Sequence, residues 1–184
     1  RTLKTGIYEV REVHATASPS MDIQVSSNFE RLLFEATDRD AARVRALMAS
    51  LQQSGRFVLP DQVLAAIRSD FDAGRADETE TAAAIRTAWR EAGDLVDPHT
   101  AVALAVADRD SSESKIPNIV LSTAHAAKFP DAVEAACGMR PQLPAWLDGL
   151  MTRPEQITVV ANDQAEIERF VLSVSRAAKH GVAG

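Results

Sequence analysis

Apolar residues recur at helical spacing through the first half of the chain, and polar residues mark where each run starts and stops. Residues 1–26 are the exception: "IYEVREVHATASPS" alternates briefly, then breaks at Pro19, and reads as extended or irregular. A helix is expected to start near Ser26 or Ser27, with a hydroxyl cap and Glu30 as acid in the first turn. "DRDAARVRALMASLQQSG" opens on Asp, carries Ala42, Val44, Leu47, Met48 and Leu51, and stops at Gly55. "LPDQVLAAIRSDFDAG" enters through Pro60 and Asp61 and sets Val63, Leu64, Ile67 and Phe71 on one face. "ADETETAAAIRTAWREAG" begins with acids and ends in Gly93. Three consecutive helices, each closed by Gly, read as a helical insertion or subdomain.

The pattern then changes. "DPHTAVALAVADRD" places Pro98 at a first helical position and is apolar nearly all round, which predicts a buried helix. In "IPNIVLSTAH", residues 119–121 form a short apolar run between turn-type residues and read as a central parallel strand. "FPDAVEAACG" follows as a helix entered through Pro130 and Asp131. "ITVVAND" is a second strand candidate, followed by the amphipathic helix "QAEIERFVLSVSRAAKH". Strand–helix alternation in this half predicts a mixed α/β fold with a parallel-sheet core. No internal repeat or low-complexity segment interrupts it.

Composition narrows the classes. At 46% apolar, 25% charged and 5% aromatic over 184 residues, the chain has enough material to bury a real core. A net charge of −6 with dispersed basic residues argues against a nucleic-acid surface, although a local anion site depends on placement rather than net charge. The single Cys137 excludes an internal disulfide framework and fits a reducing cytoplasm. No apolar run reaches the roughly 20 residues of a membrane span, so neither a membrane nor a secretory setting is expected. The start at Arg1 rather than Met hints at a fragment or processed product.

Three stretches carry candidate chemistry. The first, "ATASPSMDIQVSSNFERLLFE" at residues 15–35, sets Ser18, Ser20, Asp22, Ser26, Ser27 and Asn28 among apolar residues. A surface linker explains the serines but not Met21 and Ile23. Asp22 between those two is either paired with backbone amides in a turn or turned towards a ligand. The second is "DPHTAV", where His99 reads as a partly buried first-turn histidine rather than a catalyst. In the third, "LSTAHAAKF", a buried strand would deliver Ser122, Thr123, His125 and Lys128 at its carboxyl end, the edge where open α/β sheets bind ligands. Ser122 and Thr123 are equally readable as ordinary turn or cap hydroxyls. His14, His99 and His125 lack zinc-site spacing, so no metal is expected. GxSxG, P-loop, GxGxxG and HExxH are all absent, leaving hydrolase-triad and nucleotide readings without support.

Taken in order, "SPSMDIQVSSNFERLLFE", "DPHTAVALAV" and "LSTAHAAKFPDAV" resemble the C-terminal part of the threonine synthase family. The resemblance spans nearly the whole chain and is strongest at residues 16–35, 97–106 and 120–133. One departure is Ala126, where the family usually has Pro after the His of the third motif. The resemblance implies a fold-type II pyridoxal 5'-phosphate enzyme that converts O-phospho-L-homoserine and water to L-threonine and phosphate, the cofactor serving as electron sink. It implies that Thr123, with Ser122 as close second, sets a hydroxyl against the pyridine nitrogen. Ser18, Ser20, Asp22 and Asn28 would line the cleft around the substrate, and His125 and Lys128 would help hold its phosphate. In the family the Schiff-base lysine and the Gly/Asn-rich phosphate loop lie upstream of "SPSMDI". Neither Lys4, Lys115, Lys128 nor Lys179 stands in a comparable setting, so no catalytic residue is assigned and the chain alone is expected to be inactive. The implied organisation is a cleft-lining segment and first helix at 1–36, a helical insertion at 37–94, and the α/β C-terminal part of the cofactor domain at 95–184. Two other readings stand beside this one: a non-catalytic small-ligand or phosphate-binding module derived from such an enzyme, and another fold-type II enzyme akin to threonine dehydratase or cysteine synthase. The "SPSMDI" and "DPHTAV" stretches favour threonine synthase over the latter. Oligomeric state is not legible.

Overall fold

The helices begin and end where side chains satisfy the backbone groups that a helix leaves open. A computed structural model describes residues 1–109 and 117–176 and divides the chain into two compact units, Arg1–Gln142 and Leu143–Gly184. In the first unit, a short helix α1 (Thr2–Thr5) leads into strand β1 (Ile7–Glu9). Helices α2 (Phe29–Ala36) and α3 (Ala41–Ser54) follow, then strand β2 (Arg56–Val58) and helix α4 (Asp61–Asp70). Helices α5 (Glu78–Ala92), α6 (Pro98–Arg109) and α7 (Pro130–Cys137) complete it.

The sequence punctuation holds at most of these ends. Asp40 caps α3, its carboxylate accepting from the amides of Ala42 and Arg43. Asp77 and Glu80 form a reciprocal capping box at α5. Gly55 and Gly93 close α3 and α5 in the left-handed region, at φ of 70° and 68°. Helix α2 starts later than expected: the carbonyls of Ser26 and Ser27, not their hydroxyls, accept from the amides of Phe29 and Glu30. Helix α4 stops at Asp70, before Phe71 and the Gly at 74.

Two cores lie in this unit. Leu33 of α2, Leu51 of α3, Phe57 of β2 and Val63, Leu64 and Ile67 of α4 form the first. Tyr8 of β1 is stacked between Phe29 and Phe57, with ring centroids 5.2 and 5.0 Å away. The second joins Ile85 of α5, Ala101 of α6, and Val133 and Ala136 of α7 with Val96 and Ala126. Helix α5, read from sequence as part of the insertion, therefore shares its core with α6 and α7. Helix α6 is not buried throughout. Its first turn is, at Pro98, His99, Thr100 and Ala101, but beyond it the helix is only half-covered, because small and apolar residues there line clefts.

The sheet differs from the expected one. Among the described residues the only ladder is antiparallel, pairing Ile7 with Val58, Tyr8 with Phe57 and Glu9 with Arg56. Both expected parallel strands are unpaired stretches. Ile119 and Leu121 are 86% and 73% exposed, and in the second unit Ile157 and Val159 are 75% and 91% exposed. An apolar run states that a segment needs covering; it does not supply the neighbouring strands, and no described residue pairs with these two.

Within the second unit, 3-10 turns at Ala145–Leu147 and Leu150–Thr152 precede the unpaired stretch and helix α8 (Gln164–Val174). Asp163 caps α8 through the Glu166 amide. Residues 177–180, read from sequence as its last turn, lie outside the described residues. The apolar side chains Ile167, Val171, Leu172 and Val174 of α8 are exposed. No helix among the described residues is long and apolar enough to cross a membrane.

Candidate active site

An open cleft of about 790 Å³ runs along α6 in the first unit, within the size range of small-molecule sites. Helix α6 forms its floor through Val102, Ala103 and Val106. Residues 119–121 with Thr123 form one wall and residues 72–74 another, while Met21 and His99 close one end. The backbone at Gly74 passes so close to α6 that a Cβ there would lie 2.5 Å from Val106 Cγ1. Asp72 and Arg109 are the charged members of the lining; Arg109 is braced by the Arg75 carbonyl at 2.7 Å and the Glu80 carboxylate at 2.7 Å.

The irregular backbone around Leu121 serves two cavities. Thr123 lines this cleft together with Ile119 and Leu121. Ser122 instead lines a neighbouring cavity of about 630 Å³ along α5 and α6, which shares Val120 and Arg109 with the cleft. Of the two adjacent hydroxyl residues, Thr123 is the one that lines the cleft.

The other sequence candidates are placed as follows. Ser18 is buried, and its hydroxyl has no hydrogen-bond partner among the described residues. Ser20 is exposed, and its amide rather than its hydroxyl is engaged, donating to His99 Nε2 at 3.1 Å. Asp22 takes the local alternative: its two oxygens accept from the amide and the hydroxyl of Thr16, each at 2.8 Å. Asn28 stands at the start of α2 with Oδ1 accepting from Arg31 at 2.5 Å, and it does not line the cleft. His125 Nδ1 accepts from the Ala127 amide at 3.1 Å, capping the 3-10 turn Ala126–Lys128. Lys128 is exposed, its Nζ 5.8 Å from the Phe129 ring centroid. Of the "SPSMDI" segment, Met21 alone lines the cleft.

Sequence reasoning undervalued "DPH". Asp97 is fully buried immediately before α6, and both its oxygens are used. Oδ1 accepts from the His99 amide at 2.9 Å and faces His99 Nδ1 at 2.8 Å. Oδ2 accepts from the Thr100 hydroxyl and amide. Burial pushes the Asp97 carboxyl up, but the hydrogen bonds from Thr100 and His99 outweigh it and hold the group below its ordinary value of 3.8. Because the Ser20 amide can only donate, His99 Nε2 must accept, which assigns the neutral ring with its proton on Nδ1 towards Asp97. The His99 ring packs against Phe129 at 4.8 Å between centroids. The signal in the sequence was an Asp directly before a helix-starting Pro, two and three residues ahead of amides in need of an acceptor.

Comparison with known proteins fits these motifs. A family model described as "Threonine synthase, C-terminal" matches residues 100–171. Threonine synthase from Pseudomonas aeruginosa is 40% identical over 165 residues, covering 89% of this chain and 35% of that protein. The crystal structure of pyridoxal-phosphate-bound threonine synthase from Brucella melitensis superposes with a TM-score of 0.80 at 56% identity, over 93% of this chain and 37% of that one. This chain belongs to the threonine synthase family. The yeast threonine synthase structure agrees at a TM-score of 0.75 and 31% identity, over 95% of this chain and 39% of its own. The chain thus spans about a third of the length of the threonine synthases it matches.

Proposed function

We propose that this chain acts within a threonine synthase, a pyridoxal-phosphate-dependent carbon–oxygen lyase converting O-phospho-L-homoserine and water to L-threonine and phosphate. The observation that carries the reading is the continuous likeness to a pyridoxal-phosphate-bound threonine synthase over 93% of the chain at 56% identity. A cytoplasmic setting follows from that biosynthetic role, and the lone Cys137 accords with it.

The residues present fit one end of the cofactor. The cleft has the volume for a small aromatic ring, apolar side chains to flank it, and the Thr123 hydroxyl at its wall. A neutral hydroxyl opposite the ring nitrogen leaves that nitrogen unprotonated, and Thr123 is assigned this role. When bound, the cofactor supplies an electron sink for carbanions formed next to the substrate amine. Among the described residues the lining contains no lysine for covalent attachment, and Gly74 is its single glycine of the kind a phosphate-cradling loop is built from. Those parts are assigned to residues outside this chain. Residues 119–121 are assigned as a strand of a parallel, fold-type II sheet completed in the same way, which accounts for the exposure of Ile119 and Leu121.

The test is made at two levels. The natural polypeptide containing this sequence is expected to release phosphate and L-threonine from O-phospho-L-homoserine. In it, Thr123→Val is expected to cut kcat by at least about tenfold and shift the cofactor absorbance, while Ser122→Ala leaves both near the parent value. The 184-residue chain alone, mixed with pyridoxal phosphate, is expected to give no borohydride-reducible adduct at a single lysine. A specific adduct, or a natural polypeptide that binds phosphate compounds without turnover, would replace this reading with the binding-module one.

A further inference from the structure

Few bonds hold the turn at residues 18–21 against the helices beneath it. Its internal bonds run from the Met21 amide to the Ser18 carbonyl at 2.8 Å and from the Asp22 amide to the Pro19 carbonyl at 3.2 Å. Among the described residues, two hydrogen bonds tie this stretch to the helices: the Ala17 amide to Glu78 of α5 at 3.1 Å, and the Ser20 amide to His99 of α6. The second is the one beside the cleft, because Met21 is next in the chain and both Met21 and His99 line it.

We propose that His99 is a pH-sensitive positioning residue: its neutral ring, oriented by Asp97, clamps the turn at residues 18–21 onto α6, and a proton on Nε2 releases that turn and the Met21 wall of the cleft. The clamp depends on one lone pair. With Nδ1–H committed to Asp97, a proton on Nε2 sets two N–H donors against each other at the 3.1 Å contact, and the Ser20 amide must leave. Asp97 stays paired with the charged ring, so the change opens the turn without dismantling the start of α6. Imidazole is the side chain suited to such a change near neutral pH.

The charged groups around His99 come from each neighbouring element. Asp97 immediately precedes the helix of His99, and Lys128 lies over Phe129, the ring packed on His99. Asp22 and Glu78 bracket the turn as acceptors, His125 caps the loop before Lys128, and Asp72 and Arg109 face the same cleft. None of these donates to or accepts from Nε2, which has the Ser20 amide as its partner. The inference goes beyond the proposed reaction and needs neither cofactor nor substrate, so the failure of either leaves the other standing.

The experiment is a magnetic resonance titration of the isotope-labelled 184-residue chain from roughly pH 8 to pH 5, the range in which imidazole changes charge. It follows the His99 ring nitrogens and the exchange protection of the Ser20 amide. At the alkaline end His99 is expected as the Nδ1–H tautomer with the Ser20 amide protected. On acidification, protection at Ser20 is expected to fall by at least about tenfold in a single-proton step that coincides with the His99 signal. His99→Gln, which keeps an acceptor and cannot titrate, is expected to hold the turn and abolish the step. The opposite tautomer, Ser20 protection that stays level while His99 takes up its proton, or a His99 that stays neutral until the chain unfolds would each overturn the proposal. The same step surviving in His99→Gln would do so too. Where that variant does not fold, the parent titration decides alone.

Discussion

The β1–β2 region and the stretch at residues 117–123 both carry apolar side chains in short runs, yet these end in opposite conditions. In the first, Phe57 of β2 has Tyr8 across the ladder and α2, α3 and α4 around it, and it is buried. In the second, Ile119 and Leu121 have no ladder partner among the described residues, and they stand exposed beside the cleft. Hydrophobicity sets the demand for burial in both, and the presence of a partner within reach decides whether it is met. The uncovered stretch also leads into Thr123, so this loosely covered part of the unit lines the cleft.

The contrast can be broken from the strong side first. Leu33 is fully buried between α2, α3 and α4, and Leu33→Ala is expected to cost about 3 kcal/mol, within the usual range for such cavities, by denaturant unfolding. Next comes the buried carboxylate at the end of the cleft. Asp97→Asn removes a charge accepted by four donors and is expected to cost about 2 kcal/mol near neutral pH. Its acid dependence has a definite sign. The folded carboxyl titrates below its ordinary value of 3.8, so its stabilisation is complete above that value and is lost as pH falls through the lower folded one. The parent chain should therefore show a steeper loss of stability below about pH 4 than Asp97→Asn does, measured by unfolding at a series of pH values. A smaller loss, about 1 kcal/mol, is expected for Asp77→Ala, which opens the capping box of α5. The least effect belongs to the uncovered side: Leu121→Ala should shift unfolding by no more than about 0.5 kcal/mol in this chain. A loss as large as that at Leu33 would mean that Leu121 is covered after all, and the contrast would fall.

What could be read in advance follows from how local each feature is. Helix ends were legible because a cap is a bond between a side chain and an amide two or three residues away, as at Asp40, Asp77 and Asp163. The three motifs and their order identified the family, since residue types around a site persist in a chain whether or not its partners are present. Strand pairing was not legible. The run at residues 119–121 announces an apolar strand, but pairing joins segments far apart in sequence, and the ladder formed instead between residues 7–9 and 56–58.

Site roles divided along the same line. Asp22 between Met21 and Ile23 left two readings open, and only the folded turn, with Thr16 brought back to the carboxylate, chose between them. Thr123 ranked only narrowly ahead of Ser122 in sequence, and the fold put Thr123 in the lining of the cleft and Ser122 in that of the neighbouring cavity. His99 looked like a structural first-turn residue, and its meeting with an amide 79 positions away could not be read from neighbours. The sequence by itself determined most of the helices, the acid caps of α3 and α5, the Pro98 start of α6 and the family. The tertiary structure decided which hydroxyl faces the cleft, which nitrogen of His99 carries the proton, and which apolar segments are covered, because each depends on contacts between parts of the chain that no local pattern encodes.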